Sequence, residues 1–135
     1  MAVLVDTNVL VDIAVRDPQW LPWSRRRLAE ARGGLLINPV IYAEFSVRYA
    51  RQEQVDAVLP ETEFIRENLP WSAAFAAGAA FRKYRDGGGT RERVLPDFLI
   101  GAHAVISGHH ILTRDPKGYR RYFPTVPLIT PDTHP

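Results

Sequence analysis

Cysteine is absent from this 135-residue chain. Disulfides, thiolate metal sites and a cysteine nucleophile are therefore excluded. No apolar run approaches the length of a membrane span. The opening Met1-Ala2-Val3-Leu4-Val5-Asp6 meets an acid too early for a secretory leader. Both observations point to the cytoplasm. Excess charge of one sign is also missing: 17 basic against 15 acidic residues leave a net of +2. That is too mild to name a polyanionic partner by itself. Lysine is scarce, because 15 of the 17 basic residues are arginine. Arginine grips phosphate through a forked guanidinium, and a GC-rich genome enriches arginine too. Composition leaves both readings open.

What is present is ordinary globular material, 46% hydrophobic and 24% charged. The length fits one domain, residues 1–135, able to bury a core without staples. Val3-Leu4-Val5 is a short, fully apolar run that reads as a central strand. Thr7 to Val15 is too short to decide, although Val9, Leu10 and Ile13 have helical spacing. Asp17-Pro18 reads as a helix cap followed by proline, opening a helix to about Arg32. Leu35-Leu36-Ile37 is a second strand. Asn38-Pro39 repeats the cap signal and predicts a helix to about Arg51. Residues 52–69 read as helical and acidic. Ser72 caps an alanine-rich helix that stops at Gly87-Gly88-Gly89, a tract read as a plain loop because it lacks the lysine and spacing of a phosphate cradle. Pro96 opens another helix, which Gly108 closes. His110 to Thr113 is a third strand, Asp115-Pro116 starts a short helix, and Pro127-Leu128-Ile129 reads as an edge strand. Strands alternating with helices predict an α/β fold with a mainly parallel sheet covered on both faces.

Four carboxylates stand in informative places. Asp6 and Asp115 come directly after strands, where ligands of open parallel sheets bind. Glu44 has Val40, Ile41, Val47 and Arg48 as helical neighbours, which places an acid on an apolar stripe. A buried carboxylate is costly unless paired or metal-bound, and a salt bridge to Arg48 is its simplest structural explanation. Asp97 lies in the first turn of its helix, where the dipole favours an acid whatever its role. Taken singly, Asp6 and Asp115 read as turn or cap residues and Asp97 as a dipole-favoured acid. Taken together, all four tend toward one rim of the sheet. Four clustered carboxylates repel, and oxygen-only ligands suit Mg2+ or Mn2+, which can polarise a phosphodiester and activate water.

These residues resemble the PIN-domain ribonucleases of the VapC toxin type. The resemblance rests on Val3-Leu4-Val5-Asp6-Thr7-Asn8, Glu44 in its apolar helix, and Pro96-Asp97 with Ala102 and Ala104 downstream. It rests also on Leu112-Thr113-Arg114-Asp115-Pro116-Lys117-Gly118-Tyr119 and on the ending from Phe123-Pro124 through Leu128-Ile129-Thr130-Pro131. It covers essentially the whole chain. It implies a three-layer α/β/α sandwich and a Mg2+- or Mn2+-dependent endoribonuclease. Asp6, Glu44 and Asp97 would be the main metal-site acids, with Asp115 completing the pocket. Asn8 and Thr113 match polar positions that support the metal or its water. The resemblance further implies action on structured RNA such as transfer or ribosomal RNA, neutralisation by a VapB-type antitoxin, homodimerisation, and promoter DNA bound only through the antitoxin.

Charge placement favours a polyanion near one flank. Residues 80–121 carry nine basic residues against four acidic ones, whereas residues 52–70 carry one against five. Arg114, Lys117, Arg120 and Arg121 are the candidate RNA contacts, and Tyr119 and Tyr122 either stack on bases or pack inward. An apolar helix pair near Trp20 and Phe45 is a candidate seat for an antitoxin segment. The arginines at 25–27 read as a wet helix face, and His103 as a core or surface residue. Two rival functions use the same features. One is an RNA-binding module of this fold without catalysis. The other is an aspartyl phosphohydrolase, disfavoured because position 8 is Asn and the only lysines are Lys83 and Lys117.

Overall fold

The computed structural model describes residues 1–90 and 95–135. Five strands form one wholly parallel sheet. In chain order the elements are β1 (Val3–Val5), α1 (Thr7–Ala14), α2 (Leu21–Glu30), β2 (Leu35–Ile37), α3 (Pro39–Ser46) and α4 (Gln52–Val58). They continue with β3 (Ile65–Arg66), α5 (Trp71–Asp86), α6 (Leu95–Ser107), β4 (His110–Leu112), α7 (Lys117–Tyr122) and β5 (Leu128–Ile129). The strand order is β3-β2-β1-β4-β5. The chain therefore builds leftward from β1 and then returns to build rightward. β1 and β4 meet at the point of reversal, so the carboxyl ends of those two strands border the crevice where such sheets bind ligands.

Burial explains the centre of the sheet. Val3, Leu4, Val5, Ile111 and Leu112 are all 0% exposed. Unbroken apolar triplets are what a strand covered on both faces requires. The helices supply that cover in an α/β/α arrangement. Phe98 on α6 packs edge-on against Phe81 of α5 and Phe123 beyond α7, tying three segments into one aromatic cluster. Gly101 is buried against Phe123, and a β-carbon there would overlap the ring. Gly101→Ala is expected to destabilise the protein by about 1–3 kcal/mol through overpacking, seen as a lower midpoint in thermal denaturation. An unchanged midpoint would mean that the Phe123 ring moves freely. No helix among the described residues is long and apolar enough to cross a membrane.

Several boundaries differ from the sequence reading. Asp17 does cap a turn, its Oδ1 accepting from the N–H groups of Gln19 and Trp20 at 2.8 Å. The helix proper waits until Leu21, which leaves Pro22 in the first turn rather than in an interior where it would break a hydrogen bond. The helix after Asn38 stops at Ser46, whose hydroxyl donates to the Tyr42 carbonyl at 2.6 Å. The helix predicted across 52–69 ends at Val58, since Pro60 cannot continue it, and an edge strand follows. Both residues of that strand are exposed, so no alternation marks it. The long α5 starts at Trp71 with Pro70 as its cap, and Ser72 lies inside it. Gly108 closes α6 as expected, with φ at 70°.

Candidate active site

Asp6 is the last residue before α1 and does two jobs at once. Its Oδ1 accepts from Thr7 N–H at 2.8 Å, which caps the helix. Its Oδ2 accepts from the Thr113 hydroxyl at 2.8 Å and the Tyr119 hydroxyl at 3.0 Å. The cap reading and the site reading are both true of this residue. Thr113 is the hub beneath it. Its hydroxyl also accepts from Asn8 Nδ2 at 3.2 Å and from Asp115 N–H at 3.0 Å. Asn8 Oδ1 in turn accepts from Arg114 N–H at 3.1 Å. The ends of β1 and β4 are thus laced together by side chains as well as by the ladder.

The other acids arrive from helices. Glu44 on α3 is half-buried, and its Oε1 accepts from the Thr7 hydroxyl at 2.9 Å. The alternative pairing with Arg48 does not form; that guanidinium reaches the Glu44 backbone carbonyl at 3.5 Å instead. Nor is the apolar stripe complete, because Val47 is 84% exposed. Asp97 lies in the first turn of α6. Asp115 is exposed, and among the described residues its carboxylate caps nothing. Asp6, Glu44, Asp97 and Asp115 line one cavity of about 170 Å³, together with Thr7, Asn8, Tyr119 and Tyr122.

Electrostatics records the crowding. Burial, reinforced by the Asp97 charge, pushes the Asp6 carboxyl up from 3.8 to about 6, against the hydrogen bonds from Thr113, Tyr119 and Thr7. Burial also raises Glu44, opposed by the Thr7 bond and helped by Asp97. The Tyr119 phenol is raised by burial and then by the charges of Asp6 and Asp97, so it stays a neutral donor. Repelling carboxylates in one cavity, all offering oxygen, make a donor set suited to a hard divalent cation. Among the described residues Asp6 Oδ1 carries one donor, so lone-pair capacity remains.

Thr7, Tyr119 and Tyr122 line the site and were not read from the sequence as parts of it. Tyr119 is 4% exposed with its hydroxyl on Asp6, so it packs inward and cannot stack on a base. Tyr122 lines the cavity within the aromatic cluster of Tyr84 and Phe98. Asp12, 1% exposed, receives the Arg114 guanidinium through Nε at 2.6 Å and Nη2 at 2.9 Å, and the Ser24 hydroxyl at 2.7 Å. Arg114 is therefore fastened to the interior, and Arg120 pairs with Asp132 at 2.9 Å. Lys117 and Arg121 remain exposed on α7, beside the cavity. Arg91, Glu92 and Arg93, counted in the basic flank, lie outside the described residues.

A PIN domain is the class that this architecture and pocket define. The PIN domain family model matches residues 3–124, and the chain belongs to that family. Its fold is that of chains in several solved complexes. One is VapBC2 from Rickettsia felis bound to a DNA fragment from their promoter, at 19% identity, TM-score 0.71, with 96% of this chain and 98% of that one covered. The DNA-bound VapBC of Salmonella typhimurium matches at 17% identity and TM-score 0.72, with the same coverage. A toxin–antitoxin complex from Klebsiella pneumoniae matches at 24% identity and TM-score 0.69, again over 96% and 98%. No curated protein sequence matches the chain significantly.

Proposed function

We propose that this protein is the toxin of a type II toxin–antitoxin pair and acts as a Mg2+- or Mn2+-dependent endoribonuclease. The observation that carries the reading is the convergence of Asp6, Glu44, Asp97 and Asp115 in one cavity at the reversal point of a PIN-domain sheet. Those four acids would hold the cation, which when bound supplies Lewis-acid polarisation of a phosphodiester and an activated water. The chain's own contributions are positional. Thr113 and Tyr119 hold Asp6 in place through its Oδ2, Thr7 orients Glu44, and Asn8 fixes the segment that bears Asp115 through Arg114 N–H and the Thr113 hydroxyl. Lys117 and Arg121 would meet the RNA backbone beside the cavity.

An antitoxin of the VapB type is the proposed protein partner, with promoter DNA reached only through it. Phe45 is fully buried and cannot form the docking surface expected near it. A groove lined by Leu10, Ile13, Leu28, Val58 and Phe64, edged by Arg25, Arg32 and Glu63, fits an amphipathic helix better. A second copy of the chain is the other proposed partner, consistent with Trp71 and Phe75 standing 91% and 80% exposed one helical turn apart on α5.

The test is direct. Purified protein is incubated with a transfer and ribosomal RNA mixture, with Mn2+ or with a chelator. Discrete new RNA ends only in the Mn2+ arm support the reading. Retention of intact RNA on the protein in both arms would establish the non-catalytic module instead.

Metal binding should depend on pH in a definite direction. Without metal, the raised Asp6 carboxyl makes the native state hold its proton between about pH 4 and 6. The native state then binds more protons than the unfolded one, and stability falls as pH rises through that window. A cation needs the carboxylate, so it competes with that proton. Titrating Asp6 alone lowers apparent Mn2+ affinity about tenfold from pH 7 to pH 5, and Glu44 shifts it in the same direction. Calorimetric titration at the two pH values measures this. Equal affinities would remove Asp6 from the ligand set.

A further inference from the structure

A second group of ligating side chains lies apart from the acid cavity and lines none of it. Glu67 directly follows β3, with its N–H on the Ile37 carbonyl at 3.0 Å. His103 is in the middle of α6 and 0% exposed, and His109 precedes β4 and is buried. Glu67 Oε1 lies 2.8 Å from His103 Nε2 and 2.6 Å from His109 Nε2. One ligand atom from each residue falls within 4.8 Å of the others. Both imidazoles share a single carboxylate oxygen, and among the described residues Oε2 makes no hydrogen bond. Glu67 is also the accessible member, its side chain 38% exposed and opening on a cavity of about 200 Å³ that Asn38 also lines. That cavity gives solvent access to the group from the Glu67 side.

We propose that Glu67, His103 and His109 form a binding site for a borderline transition cation of the Zn2+ type, distinct from the hard-cation pocket at Asp6. Two imidazoles and one carboxylate are the ligand set of three-ligand zinc sites that keep an open position, and imidazole is a poor partner for Mg2+. Zinc bonds of 2.0–2.2 Å in a tetrahedron need ligand atoms about 3.3–3.5 Å apart. Glu67 has to retreat by about half an ångström from each ring to reach that spacing, and its exposure leaves it free to do so.

The buried end of the site makes the binding legible in a spectrum. Asn38 Oδ1 accepts from Ile41 N–H at 2.9 Å as the cap of α3. Its Nδ2 must then be the group facing His103 Nδ1 at 3.0 Å, and it donates. His103 is consequently the Nε2–H tautomer, donating to Glu67. A metal on Nε2 requires that proton to move to Nδ1, and Asn38 to turn its amide so that Oδ1 receives it. The turned amide occupies the same space, and a backbone or side-chain acceptor behind a ligating histidine is the usual arrangement. The turn sacrifices the cap bond to Ile41.

The experiment is a Co2+ titration of the chelator-treated full chain, read by visible d–d absorption, with Zn2+ competition. The parent is expected to show the strong absorption of one tetrahedral Co2+, and an Asp6→Asn/Asp97→Asn variant the same absorption, because Co2+ held by oxygens alone at the acid pocket is octahedral and absorbs weakly. Glu67→Gln and His109→Gln, which keep polar groups of similar length, should weaken it at least about tenfold. Nitrogen-15 spectra of the parent should show His103 passing from the Nε2–H to the Nδ1–H tautomer when Zn2+ is added. This needs no variant to fold. Absorption of equal strength in His109→Gln, its loss in the Asp6/Asp97 variant, or a His103 tautomer unmoved by Zn2+ would overturn the proposal.

Discussion

Asp97→Asn is expected to lower metal-dependent RNA cleavage by about a thousandfold or more, with the fold intact. The side chain keeps its shape at the start of α6, and what disappears is one unit of negative charge facing Asp6 and Glu44. A cation in such a site contributes several kcal/mol of transition-state stabilisation, and each 1.36 kcal/mol is about a factor of ten in rate. The same substitution relieves repulsion, because Asp97 is one of the groups that raise Asp6 and Glu44. It also removes a favourable dipole contact of about 0.3–1 kcal/mol. These stability effects oppose each other, so the denaturation midpoint should move little while activity collapses. Single-turnover cleavage of a defined RNA, alongside thermal denaturation, separates the two. Cleavage within tenfold of the parent would sink the metal-ligand role of Asp97, and an equal loss of stability would make the residue structural.

How much of this was readable from the residues depends on how far apart the cooperating groups lie. Asp6 was legible because it directly follows a short apolar strand, and Asp115 because it lies three residues beyond the end of another; strand ends in a parallel sheet have a known place. Asp97 was legible as a first-turn acid and gained meaning only from the set. Glu44 was picked out by its apolar neighbours, although half of that stripe proved exposed and its partner is Thr7 rather than Arg48. The bond from Tyr119 to Asp6 joins positions 113 apart, and no local pattern encodes such a contact. Asp12 carried a weak signal, an acid between Leu10 and Ile13 on an apolar helix, which is the signal that selected Glu44. The Glu67–His103–His109 group was out of reach because its acid hangs from β3. A two-residue strand with both side chains exposed has no period to detect, and residues 52–69 therefore read as one acidic helix.

The basic flank shows the same limit from the opposite side, and it yields the second large effect. Arg114→Ala is expected to cost about 3–5 kcal/mol of stability, toward the lower figure because Asp12 keeps the Ser24 hydroxyl. Local sequence made Arg114 a candidate for phosphate, standing beside Lys117, Arg120 and Arg121. In the fold both arms of its fork engage Asp12, which is 1% exposed, and its guanidinium lies 5.1 Å from the centre of the Trp20 ring. Removing the cation strands a buried carboxylate, which is the expensive way to break such a pair. Arg114→Lys keeps the charge but loses the planar fork and the stacking, so it should recover only part of the loss. Replacing both partners by apolar residues, as in Asp12→Leu/Arg114→Met, should recover more than either single change. Urea denaturation of the four proteins measures the order. RNA affinity is then compared at a temperature where all remain folded. An ion-pair role predicts large stability differences with RNA affinity nearly constant. If Arg114→Ala instead leaves stability unchanged and weakens RNA binding, Arg114 belongs to the nucleic-acid face, and the bond to Asp12 yields to phosphate when substrate arrives.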